Sequence, residues 1–194
     1  MPEDTSDLSC TLVRERPKIS KMKDYELALL GTVDMSQGQI LKEEFQDWGL
    51  YKIEFDFTIK EFTQHHWINL FHFAPSGTNS QNWLENTNNR PVIHIKNDEK
   101  KMFVCFGPDF SCKFIDEVIE EMKRYHVVIQ QCLEYGQVVY KVILNGKTMF
   151  SEAEPSPKIY ESVKLYGSNP WSKSVGDENY VIATIENLKV EQDC

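Results

Sequence analysis

Between Leu50 and Phe62, apolar and polar residues alternate. Tyr51, Ile53, Phe55, Phe57 and Ile59 fall on one side of an extended chain, and Lys52, Glu54, Asp56, Thr58 and Lys60 on the other. A period of two over this length predicts an antiparallel strand with one face in a core and one in water. Strand signals begin at "YELALLGTV" and recur along the chain. "HWINLFHF" is a second, more apolar run; "PVIHIKN" and "KMFVCFG" flank the turn "DEKK"; "YHVVIQQCL" and "QVVYKVIL" are separated by "EYG". Asn145-Gly146 separates "YKVIL" from "KTMFS" and is the strongest hairpin signal in the chain, because both central residues of a type I′ turn need positive φ.

At least eight short strands with turn signals between them predict an all-β fold, a sandwich or barrel. One stretch departs from the pattern. "FIDEVIEEMKRY" places Ile115, Val118, Ile119 and Met122 at helical spacing, with acids early and Lys-Arg late. It predicts one short helix near 115–123. Residues 1–24 are polar and charged, with Pro2 and Pro17, and read as an N-terminal arm; 25–194 reads as a single sandwich domain.

Composition narrows the choice. At 41% hydrophobic and 12% aromatic the body is globular. The net charge of −9 offers no basic stripe for nucleic acid, and no apolar run approaches a membrane span, so neither nucleic-acid binding nor membrane insertion is expected. "MPEDTSDLSC" is acidic where a signal peptide would be basic and then apolar. None of the five cysteines shows Cys-x-x-Cys spacing, which argues against structural zinc. Cys105 and Cys112 flank "FGPDFS" and could bridge a hairpin; Cys10 and Cys194 would form a terminal staple if the end strands pair, leaving Cys132 over.

Candidate chemistry is sparse. Glu54 and Asp56 share a strand face, but no third acid follows, and alternating acids and lysines describe a solvated face; no catalytic residue is assigned. His65, His66, His72, His94 and His126 lack ligand spacing and read as core or edge histidines. Asp98-Glu99, Asp109 and Asp177-Glu178 leave calcium as an option, but none has the alternation of a calcium loop, so no metal or cofactor is assigned. The loop "APSGTNSQNWLENTNNRP", residues 74–91, is the most suggestive stretch. Asn82, Trp83, Asn86, Asn88 and Arg90 offer amide and guanidinium hydrogen bonds beside an indole that could stack on a sugar ring; the plainer alternative folds Trp83 back as a lid on the sandwich.

"LYKIEFDFTI", "WINLFHF", "NRPVIHI", "RYHVVIQ", "YKVILNGKTMF" and "VKLYGSNPW…IENLKV", in that order, resemble a lectin-like module of the concanavalin A-like, laminin-G-like jelly-roll superfamily of animal extracellular proteins. The resemblance spans roughly residues 40–191. It implies an antiparallel jelly-roll sandwich and an extracellular, non-catalytic recognition role with a glycan or an extracellular protein as partner. The galectin sugar motif is absent, so no sugar-binding residue carries over. In such a fold Gly167, Pro170 and Trp171 turn the corner between the last two strands rather than forming a binding site. Two alternatives to a lectin remain: a protein-interaction module without a sugar site, and a polysaccharide hydrolase or lyase that would use Glu54 or Asp56.

Overall fold

The computed structural model describes residues 27–34, 39–62, 67–75, 91–106, 111–154, 157, 159–167 and 183–194. They form β1 (Leu27–Asp34), β2 (Gln39–Trp48), β3 (Tyr51–Ile59), β4 (Trp67–Pro75), β5 (Val92–Lys96), β6 (Lys101–Phe106), β7 (Ser111–Val118), β8 (Arg124–Glu134), β9 (Gln137–Leu144), β10 (Lys147–Glu154), β11 (Tyr160–Gly167) and β12 (Ala183–Gln192). Two six-stranded sheets result: sheet A in the order β1-β12-β3-β8-β9-β10 and sheet B in the order β2-β11-β4-β5-β6-β7. Every pairing is antiparallel.

One face of each sheet is apolar, and the sheets bury these faces against each other. Phe55 on β3 meets Phe71 on β4 edge to face at 4.8 Å, and Phe106 on β6 stacks on Tyr140 of β9 at 4.8 Å. The alternation read from 51–59 holds residue for residue: the five apolar side chains are buried in the core cluster. Positive φ at Asn145 (49°) and Gly146 (79°) fits the expected type I′ turn, and Tyr135 (50°) and Gly136 (82°) make a second one at "EYG". Asn145 also ties the turn to β8, its Oδ1 accepting from the His126 N–H at 2.9 Å.

Two expectations are corrected. The helix near 115–123 does not form; residues 115–118 belong to β7 and 119–123 make the turn into β8. A register shift opposite Lys101 and Phe103 and a positive φ at Met122 (59°) change the phase of the strand pattern. Spacings of four then arise without a helix: Ile115 and Ile119 are buried, while Val118 and Met122 are exposed. The cysteine pairing also differs. Cys105 bridges Cys112 as the hairpin suggested, but Cys194 bridges Cys132 rather than Cys10. The partner of the final residue is β8, because β12 enters sheet A beside β3 and the chain end then crosses to β8, where the Leu133 N–H donates to the Cys194 carbonyl at 3.1 Å. Cys10 and the arm at 1–24 lie outside the described residues.

Candidate functional site

Each sheet has a second face that points away from the core, and the two are chemically unlike. On sheet A, β12, β3 and β8 present lateral rows: Glu186, Asp56 and His126 are cross-strand partners, and Glu54 lies opposite Lys189. Asp56 is the centre of this face. It accepts from Arg124 Nη2 at 2.6 Å, from Asn187 Nδ2 at 2.9 Å and from His126 Nδ1 at 2.9 Å. An ionised carboxylate only accepts, so His126 Nδ1 carries the proton here. Asn187 reaches Asp56 because β12 bulges between Glu186 and Lys189, with Asn187 at φ 53°. Burial pushes the Asp56 carboxyl upward, but the hydrogen bonds from Arg124, Asn187 and His126 outweigh it and leave the group below its ordinary value. The hydrogen bond from Lys52 likewise holds Glu54 low, against a smaller effect of burial and aided by Lys189 and His126. Arg124 also pairs with Glu186 at 3.2 Å. The charges on this face answer one another.

Sheet B is built from less polar strands. In β4, Ile68, Leu70, Phe71 and Phe73 enter the core, so Trp67, Asn69, His72 and Ala74 face outward. The register shift between Asn69 and Phe71 allows two consecutive inward residues and brings Asn69 and His72, three apart, to the same face. Pairing then lines up three rows across the sheet. Tyr166 faces His72, which faces Val92, then Cys105 and Cys112. Asn69 faces His94, then Phe103 and Phe114. Trp67 faces Lys96, then Lys101.

The second and third rows hold an aromatic strip. Trp67 lies 5.2 Å from Phe103 and edge-on to His94 at 5.7 Å, and Phe103 lies 4.6 Å from Phe114. Trp67 and Phe103 are half-buried and Phe114 is exposed, so the strip reaches the surface. Beside it, Asn69 is 0% exposed, yet neither its amide oxygen nor its amide nitrogen has a hydrogen-bond partner among the described residues. His72 and His94 are also buried, as the sequence suggested for histidines within strands, but on the outward side of the sheet. Lys96 and Lys101 are held at the rim, Lys96 by Glu99 and Asp98 and Lys101 by Asp116 at 2.7 Å.

The residues picked from the sequence, Asn82, Trp83, Asn86, Asn88 and Arg90, lie outside the described residues, as do His65, His66 and the corner residues Pro170 and Trp171. Their segment, 76–90, connects β4 to β5, the two strands that carry His72, Asn69 and His94. The Phe73 N–H donates to the Pro91 carbonyl at 3.2 Å where the chain re-enters the sheet. Trp67, Asn69, Phe103 and Phe114 were not singled out from the sequence; the signal present was the outward phase of Trp67 and Asn69 in "HWINLFHF". Among the described residues no group of three or more His, Cys, Asp or Glu side chains stands together as a metal site. No helix there is long and apolar enough to cross a membrane.

No protein-family model matches the sequence, and no curated protein sequence matches it. Solved structures do. The endo-β-1,4-glucuronan lyase of the fungus Trichoderma reesei superimposes with a TM-score of 0.52 at 13% identity, over 89% of this chain and 88% of that one. The carbohydrate recognition domain of Emp47p gives 0.52 at 11% identity over the same shares, 89% and 88%. The heptameric SAP-like pentraxin of Limulus polyphemus gives 0.54 at 12% identity, over 82% of this chain and 74% of that one. These likenesses show the fold alone, an antiparallel jelly-roll sandwich.

Proposed function

We propose that the chain is a non-catalytic, lectin-like recognition module that binds a glycan on the outer face of sheet B. The observation that carries this reading is Asn69, a fully buried amide with no partner among the described residues, beside a surface-reaching aromatic strip. Leaving such a group unpaired costs about 1–3 kcal/mol. An apolar surface with a few fixed polar groups is what a saccharide site requires: ring C–H faces lie on Trp67 and Phe103 while hydroxyls meet amide and imidazole. Asn82, Trp83, Asn86, Asn88 and Arg90 would extend the site from the loop between β4 and β5. The fold shared with a carbohydrate recognition domain is consistent with this use. The two disulfides fit an oxidising compartment and hence an extracellular or lumenal protein.

A glycan array probed with and without calcium, beside Trp67→Ala and Trp83→Ala, tests the proposal. Binding lost in Trp67→Ala places the ligand on sheet B; loss confined to Trp83→Ala moves it to the loop. Retention of all binding in both variants refutes the site.

A catalytic reading on the same scaffold gains nothing from Glu54 and Asp56. A glycosidase needs one carboxyl protonated near neutral pH, and both are held low by cations and donors. A lyase has one observation in its favour, the cross-strand pairing of Tyr166 with His72, since a phenol and an imidazole can remove and return a proton. Release of unsaturated products from a uronate polymer would establish it.

A further inference from the structure

On the outer face of sheet A the charges are answered, but one lone pair is not. His126 on β8 stands directly opposite Asp56 on β3, and Glu54 lies two residues along β3 on the same face. The imidazole is therefore set between two carboxylates. Its Nδ1 donates to Asp56 Oδ1 at 2.9 Å. Its Nε2 lies 3.9 Å from Glu54 Oε1, beyond hydrogen-bond reach. With the ring proton on Nδ1, Nε2 carries a lone pair. No donor among the described residues engages it, and the side chain is 45% exposed. Glu54 Oε1 is open in the same way, since Lys52 engages the other oxygen, Oε2, at 3.1 Å.

A histidine whose far nitrogen donates to a carboxylate is held as metal-ligating histidines are held. The carboxylate fixes the ring and its tautomer and strengthens the other nitrogen as a ligand. Two donors bound to one zinc-sized ion at about 2.0–2.2 Å stand about 3.4 Å apart at a tetrahedral angle, so a side-chain shift of about half an ångström closes the gap between His126 and Glu54. The surrounding charge favours a cation. Glu54, Asp56, Glu186 and Glu191 face Lys52, Arg124 and Lys189, four carboxylates against three fixed cations. We infer that His126 Nε2 and Glu54 Oε1 form a binding site for a divalent transition-metal ion, with water in the other coordination positions and Asp56 as the positioning residue. One nitrogen and one oxygen donor suit late first-row ions such as zinc, copper or nickel, whereas calcium and magnesium take oxygen ligands. The site lies on the opposite sheet from the proposed glycan face and does not depend on it. Sequence spacing does not display it, because strand register alone brings β3 and β8 together.

The test is a titration of the full chain with zinc chloride near neutral pH, followed by calorimetry and by the histidine ring signals in NMR. The His126 signals are expected to shift and saturate. No shift of those signals up to about 1 mM zinc, the boundary of millimolar affinity, overturns the inference. So does zinc that moves other histidine signals and leaves those of His126 in place. His126→Gln is expected to remove this binding event, and Glu54→Gln to weaken it about tenfold or more. Affinity unchanged in His126→Gln overturns the site. Asp56→Asn is expected to weaken zinc about tenfold to a hundredfold and to move His126 away from the Nδ1–H tautomer, read from its ring nitrogen shifts. Weaker binding with the tautomer unchanged overturns the positioning role of Asp56. Calcium is expected to leave the His126 signals in place; an equal response to calcium overturns the choice of ion class. Thermal melting without metal reports whether each variant keeps the fold, and the wild-type ring signals decide the matter where one does not.

Discussion

The two outer faces belong to sheets of equal strand number and use neighbouring stretches of one chain. On sheet A the polar groups solve their own problem: Asp56 is supplied with three donors, and Arg124 is shared between Asp56 and Glu186. Sheet B holds one polar group, the Asn69 amide, that the described residues do not complete. Burial alone does not separate the faces, since Asp56 is 8% exposed and Asn69 0%. Partner chemistry does. A face whose charges cancel internally has little left to offer a ligand, whereas an amide set among aromatic rings with no partner among the described residues has unspent capacity.

The largest effect should come from making sheet B resemble sheet A. Asn69→Asp places a carboxylate in a fully buried position with no donor for it among the described residues, and urea unfolding should show a loss of about 3 kcal/mol or more. A loss below about 1 kcal/mol would mean that Asn69 is solvated and that the contrast between the faces is weaker than described.

The disulfides give a second contrast. Cys132–Cys194 joins residues 62 apart, and Cys105–Cys112 joins residues 7 apart. By loop entropy, removing the longer link with Cys132→Ser and Cys194→Ser should cost about 2 kcal/mol more than removing the shorter one. Equal losses in denaturant titrations would show that loop entropy does not govern either bridge.

Asp56→Asn tests the network on sheet A. It should destabilise by about 1–2 kcal/mol at neutral pH, because Arg124 loses its buried partner. The Asp56 carboxyl lies below its ordinary value of 3.8 when folded, so its stabilisation is present above that value and is lost as pH falls through the folded one. The gap between wild type and variant should therefore close on acidification below about pH 4, measured by melting temperature. A gap that stays constant to pH 2 would place the effect in packing rather than charge. The smallest change is expected from Lys96→Ala, a rim pair worth at most about 1 kcal/mol. A larger loss would mean that the rim charges are integral to the strip.

Much of the scaffold was legible because its signals are local. The alternation of 51–59 fixed which side of β3 is buried, and Asn145-Gly146 fixed a turn. The edge strands were harder. β2 was not foreseen, and β7 passed for a helix because its bulge and the turn at 119–123 imitate a period of four. The site was least legible of all, for two physical reasons. Its rows run across several separate strands, so no single stretch displays them. In addition, the irregularity at Leu70 reverses the phase within β4, so a strict period of two separates Asn69 from His72 although the sheet unites them. The loop residues favoured from composition lie outside the described residues and stand as a proposal.

β12 is the last strand in the sequence yet lies between β1 and β3 in the interior of sheet A. During synthesis the other eleven described strands leave the ribosome before β12 arrives. Until then β1 has no partner, and β3 shows an open edge beside an uncovered core. The same delay postpones the Cys132–Cys194 link until residue 194 is exposed to oxidant. A nascent chain stalled short of residue 183 therefore holds two unpaired strand edges that a chaperone, or another stalled chain, can occupy.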